Sequence, residues 1–224
     1  MLLQLHNINK GYGESGTHNY RPVLQGLDLN VNKGERIAVV GPSGSGKTTL
    51  LNLIGTLDLP ESGRIIYNGE EITRYSKSGL ANFRNRHMGF IFQLHHLLPQ
   101  LTLFENVILP LLPQNKDISK EKTEWAEYLI EKVGLTEQRY QKPSQLSGGE
   151  CQRTAVVRAL INKPGLILAD EPTGALDEGN ADALTELLIR LSEEENITLI
   201  TVTHSNLLAE KMDKKLTLRK GKLF

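Results

Sequence analysis

Arg36-Ile37-Ala38-Val39-Val40 runs without a break into Gly41-Pro42-Ser43-Gly44-Ser45-Gly46-Lys47-Thr48, an apolar strand followed by the pattern G-x-x-x-x-G-K-[ST]. Glycines in such a loop let backbone N–H groups turn inward around a chain of phosphates. The helix that follows points its positive end at the same anion. Within this pattern Lys47 is placed to reach β- and γ-phosphates and the Thr48 hydroxyl to ligate Mg²⁺, with Thr49 next in the chain. A helix opening near Gly46 would carry Leu50, Leu51, Leu53 and Ile54.

Working outward from this loop, strands and helices alternate, with no internal repeat or low-complexity tract. Met1 to Lys10 alternates apolar and polar residues, as a half-buried strand does, and Val23 to Val31 and Arg64 to Tyr67 read as strands. After a further strand from Met88 to Phe92 the pattern changes. Ser119 is a plausible N-cap, Trp125, Tyr128, Leu129 and Val133 recur at helical spacing, and Gly134 is a stop. Residues from about Leu94 to Leu160 therefore read as a mostly helical insertion, and the core as 1–93 and 161–224 of a single domain over 1–224. Strands return at Leu166 to Ala169 and Ile197 to Val202, which predicts a parallel sheet with the ligand at its C-terminal edge.

Composition narrows the partners. Lys+Arg and Asp+Glu each total 26, so the net charge is +0 and no long-range attraction to nucleic acid or to an anionic membrane follows. No window approaches the ~20 apolar residues needed to span a bilayer. The first residues lack the basic flank and apolar block of a secretory signal. The single Cys151 cannot form an internal disulfide, which suits a reducing cytosol. If the chain serves a membrane process, other chains supply the spans.

Two further motifs carry chemistry. The apolar run Leu166-Ile167-Leu168-Ala169 ends in Asp170-Glu171. A carboxylate at such a strand end can hold the metal, and the next one, beside a γ-phosphate, can polarise the attacking water as general base. Leu146-Ser147-Gly148-Gly149-Glu150 opens a helical pattern through Val156, Val157 and Leu160, placing a hydroxyl and bare backbone donors at a helix N-terminus. Asn162-Lys163-Pro164-Gly165 fails the last position of the guanine motif N-K-x-D, which counts against a GTPase.

The order of these motifs resembles the ATP-binding subunits of ABC transporters. The resemblance implies a P-loop NTPase (RecA-like) α/β core with an antiparallel β subdomain and an inserted α-helical subdomain, binding ATP and Mg²⁺. It implies that Ser147, Gly148 and Gly149 reach across a homodimer interface to the γ-phosphate held by the partner copy. It assigns Gln93 to sensing Mg²⁺ and the attacking water, Asp170 to the metal, Glu171 to the base and His204 to the γ-phosphate. Asp177, in Ala175-Leu176-Asp177, falls in the interface loop, and Tyr12 matches the aromatic that stacks on adenine, with Tyr20 nearby. Such subunits engage integral membrane permease subunits, here through about Leu94 to Leu112, where His96 and Leu97 are expected on the contact surface.

Within that family the chain is most similar to ATPases of bacterial lipoprotein-releasing systems, on Phe90-Ile91-Phe92-Gln93-Leu94-His95-His96-Leu97-Leu98-Pro99, Leu103 to Val107 and Thr203 to Ala209. That branch implies a peripheral subunit on the cytoplasmic face of the inner membrane, with lipoprotein cargo handled by the membrane subunits. Macrolide-export and cell-division ATPases share the catalytic motifs and are the alternative. Cys151 and Ser205 depart from the family pattern, which more often has Arg or Gln at the first and Asp at the second.

Overall fold

β1 (Leu3–Tyr12) alternates over Leu3 and Leu5, shifts register at Asn7 (φ 49) so that Ile8 is buried next, and pairs antiparallel with β2 (Arg21–Val31). β3 (Arg36–Val40) leads into α1 (Lys47–Ile54), after which β4 (Ser62–Tyr67) and β5 (Glu70–Glu71) complete a four-stranded antiparallel sheet in the order β2-β1-β4-β5. α2 (Lys77–His87), N-capped by Ser76, precedes β6 (Met88–Phe92). Then come α3 (Leu103–Ile108), a 3-10 turn over Leu109–Gln114, α4 (Lys120–Lys132) and α5 (Gly148–Leu160). The chain closes with β7 (Leu166–Asp170), α6 (Glu178–Glu194), β8 (Thr198–Val202), α7 (Asn206–Glu210), β9 (Lys214–Arg219) and β10 (Lys222–Leu223). This computed structural model describes residues 1–14, 16–114 and 118–224.

The second sheet runs β10-β9-β3-β8-β7-β6, parallel from β9 to β6. Its strands β3, β8, β7 and β6 are buried on both faces, which explains why they read as continuous apolar runs. Along β7, Leu166 and Leu168 face a core shared with α1 and the antiparallel sheet, while Ile167 and Ala169 face α3 to α6. Each such leucine contributes about 1.5–3 kcal/mol relative to exposure. α5 lies directly on β6. A β-carbon built on Gly89 would fall 2.3 Å from the carbonyl oxygen of Ala159, so helix and strand meet this closely only over glycine.

The P-loop NTPase core and the antiparallel sheet agree with the sequence reading. β2 starts two residues before the predicted Val23, and Ile197 stands just outside β8. α2, β5, β9 and β10 had no counterpart in that reading. α2 buries only Leu80 and Phe83, too few for a visible stripe. α4 is capped as predicted, the Ser119 hydroxyl accepting from the N–H of Lys122, and Gly134 follows its end at φ +69.

Candidate nucleotide site

The loop between β3 and α1 crosses the C-terminal edge of the parallel sheet. Gly46 caps α1 at φ +100, and a β-carbon there would lie 2.6 Å from Cγ1 of Val23, so conformation and space both demand glycine. Lys47 is buried. Its Nζ donates to the carbonyls of Gly41 (2.9 Å) and Pro42 (3.3 Å) and lies 3.3 Å from Nε2 of His204. The ammonium is thus held at the centre of the loop by carbonyls that a phosphate oxygen can replace.

Asp170 closes β7, and Glu171 turns into the left-handed region at φ 46 while its N–H donates to the Val202 carbonyl at 2.9 Å. Such a conformation costs about 1–3 kcal/mol for a residue with a side chain and recurs at functional sites. Here it aims the carboxylate along the edge of β8. Oε2 accepts from the N–H of His204 (3.0 Å) and from the Thr203 hydroxyl (3.3 Å), and Oε1 lies 3.6 Å from Nε2 of His204. Burial pushes the Asp170 carboxyl above its ordinary value and Glu171 adds to this, while the Thr48 hydroxyl bond and Lys47 oppose it.

Lys47, Thr48, Gln93, Asp170, Glu171 and His204 line one cavity of about 600 Å³, together with Ser43 and Gly44. A neighbouring hollow of about 270 Å³ shares Gly44, Lys47 and Thr48 with it and adds Tyr12, Arg21, Gly46 and Thr49. Tyr12 is half exposed there, its hydroxyl 3.4 Å from Oγ1 of Thr49. Tyr20 is otherwise engaged: its hydroxyl donates to Glu61 at 2.6 Å and its ring covers Gly11. Pro42 and Ser45 line a third, adjoining hollow, which shares Arg21 and Gly44 with the second. The oxygen donors suit Mg²⁺. The Thr48 hydroxyl opposes the upward push of burial on the Asp170 carboxyl, and a hard cation between them would stabilise that carboxyl as its anion.

Ser147, Gly148, Gly149 and Asp177 do not line this cavity. Ser147 and Glu150 form a capping box at the start of α5, in which the Ser147 N–H and hydroxyl hold the Glu150 carboxyl below its usual range. Asp177 N-caps α6 and accepts from the side chain of Asn180 at 2.6 Å. A β-carbon on Gly149 would lie 2.7 Å from Oδ1 of that Asn180, so the two helix starts form one surface.

Three site neighbours escaped the sequence reading. Besides Thr203, they include Gln152, which is 2% exposed on α5; its Nε2 donates to the carbonyls of Phe92 (2.8 Å) and Pro172 (2.9 Å). One amide therefore fastens the residue before Gln93 and the residue after Glu171 to the same helix. The signal was present: Gln152 is the polar member of the 152, 156, 160 stripe. Gln152→Ala leaves both carbonyls unpaired in the interior, so we expect about 1–3 kcal/mol lower stability in urea unfolding. An unchanged midpoint would mean that the bridge is dispensable. Arg158 donates to the carbonyls of His95 (2.6 Å) and His96 (2.7 Å) and holds the segment after Gln93.

That segment corrects one expectation. Leu97 is 7% exposed and belongs to the interior, whereas His96 is exposed as expected and also borders the nucleotide cavity, its ring edge-on to Phe92. The apolar side chains that reach solvent are Leu94, Leu98 and Leu112. Carbonyl bonds from Arg158, with Asn106 bonded to Leu98, turn Leu97 inward and Leu98 outward. Cys151 is buried, which pushes its thiol up and away from thiolate chemistry. Ser205 caps α7 by accepting from the N–H of Leu208.

Sheet order, loop geometry and the clustered carboxylates define an ATP-hydrolysing cassette, and the chain belongs to the ABC transporter family, whose profile matches residues 24–174. It is 46% identical to the lipoprotein-releasing system ATP-binding protein LolD of Shewanella frigidimarina, covering 98% of this chain and 91% of that one. With the LolD of Xanthomonas euvesicatoria it shares 48% identity, over 99% of this chain and 90% of the relative. A solved ATP-binding cassette, dimeric in a post-hydrolysis state with ADP and Pi, aligns at TM-score 0.89 and 36% identity, covering 99% of this chain and 96% of the other.

Proposed function

We propose that this cassette works as a homodimer at the cytoplasmic face of an inner membrane, where its ATP cycle drives integral membrane subunits to release lipoproteins toward the outer membrane. The observation that carries the reading is identity above two-fifths, over nearly the whole chain, with proteins bearing that name. Among the described residues no helix is long and apolar enough to cross a membrane, so partner chains would provide the spans.

The mechanism follows from the cavity. Loop residues 41–49 embrace the phosphates, Lys47 exchanges its carbonyl partners for phosphate oxygens, and Tyr12 offers its face to adenine. Thr48, Asp170 and Gln93 would hold Mg²⁺, which neutralises phosphate charge when bound. Glu171, its Oε2 fixed by His204 and Thr203, takes a proton from water through Oε1. His204 stands between that carboxylate and Lys47, where a γ-phosphate oxygen would arrive. The segment 94–112, within the helical lobe 94–160, then passes closure to the membrane subunits. Exposed Leu94, Leu98 and Leu112 give it an apolar surface for such a partner, beside a groove of about 390 Å³ lined by Phe92, Pro110 and Arg158.

Leu98→Asp tests the assignment, because Leu98 is 44% exposed and lies outside the nucleotide cavity. In cells depleted of the native chain, the variant should retain ATP binding yet fail to co-purify with membrane subunits. Lipoproteins destined for the outer membrane should then accumulate in the inner membrane, read by membrane fractionation. Normal sorting with failed cell separation would transfer the chain to the cell-division branch.

A further inference from the structure

We propose that Arg21 is a further nucleotide-binding residue, a cation that clamps the phosphate chain from the strand facing Tyr12. The inference rests on reading residues 41–49 as the nucleotide loop. Tyr12 and Arg21 are directly paired in the antiparallel register of β1 and β2. Side chains of directly opposed residues leave the sheet on the same face. Both therefore border the hollow formed with Gly44, Gly46, Lys47, Thr48 and Thr49. A β-carbon on Gly44 would lie 3.9 Å from Nη2 of Arg21, so the guanidinium stands just over the loop.

Arg21 is also uncommitted. Among the described residues its side chain has no ion-pair or hydrogen-bond partner, unlike Lys10, which is tied to Asp58, and Arg36, which is tied to Asp213. Inside the loop Lys47 is the one cation, whereas a nucleoside triphosphate brings about four negative charges that a single ammonium cannot balance. A guanidinium stays charged and can bind two phosphate oxygens through parallel N–H groups. Paired on neighbouring strands, Tyr12 would hold the base and Arg21 the phosphates, so the register of β1 and β2 sets both contacts at once. Arg21 also borders an adjoining hollow lined by Arg219 and Lys220, which deepen the positive potential around its guanidinium.

Displacement of a fluorescent ATP analogue from the isolated subunit, without added Mg²⁺ so that turnover is suppressed, tests this. Arg21→Ala should weaken ATP binding about 3- to 10-fold, the range between an exposed ion pair and a hydrogen bond to a charged group. ADP should lose less and adenosine nothing. Arg21→Lys should recover part of the loss, and the deficit should shrink at high salt as the charge is screened. Lys47→Ala is the reference. If it loses ATP affinity while Arg21→Ala binds normally, the clamp is overturned and the nucleotide loop stands. If Lys47→Ala also binds normally, the loop reading itself falls, and the clamp with it. An equal loss for adenosine and ATP would overturn the clamp too, by showing that Arg21 only shapes the strand pair.

Discussion

Glu171→Gln slows ATP turnover by about 10²–10⁴-fold, the usual loss of general-base catalysis, while ATP still binds. The amide keeps the size of the carboxylate, and its oxygen can accept from the His204 N–H and the Thr203 hydroxyl as Oε2 does. What it cannot do is take a proton at the position of Oε1. Because Lys47 and the loop are untouched, nucleotide affinity should hold and an ATP-bound dimer should accumulate. Steady-state phosphate release, paired with size-exclusion chromatography in ATP, reads both. Near-normal turnover would remove Glu171 from the chemistry.

The second large effect concerns assembly of the site. Ser147, Gly148 and Gly149 stand at the N-terminus of α5, outside the cavity of Lys47 and Glu171, and among the described residues the Ser147 side chain is engaged in its own capping box. If these groups act on nucleotide, they act on the copy bound by the partner. Lys47→Ala and Ser147→Arg subunits should each be almost inactive alone. Mixed in equal amounts, they should regain activity, since a heterodimer concentrates both defects in one site and leaves the other whole. Random pairing of the two subunits restores roughly a quarter of the intact sites. ATPase assays on the mixture, with heterodimers verified by affinity tags, read the outcome. No recovery from confirmed heterodimers would place Ser147 in cis or make one intact site insufficient.

Much of this site is legible in local sequence because its chemistry depends on short-range geometry. A strand running into Gly41 to Thr48 dictates both the loop and the helix that follows, whatever packs around them. An apolar strand ending in Asp170-Glu171 likewise delivers its carboxylates to the sheet edge by its own direction. His204, two residues past β8, carries no such local signal, and only the family resemblance pointed to it. The short elements α2, β5, β9 and β10 are less so, because each buries too little of its own surface to leave a periodic mark.

The amino-acid order alone determined the parallel core, the phosphate loop and the identity of the acids beside it, since each follows from spacing within a few residues. Tertiary structure decided what depends on segments remote in the chain. It paired Arg21 with Tyr12, occupied Tyr20 with Glu61, and turned Leu97 inward while leaving Leu98 at the surface. It also set the Gln152 amide between Phe92 and Pro172. Those outcomes rest on strand register and on buried carbonyls finding donors, and both are settled only when distant strands and helices close on one another.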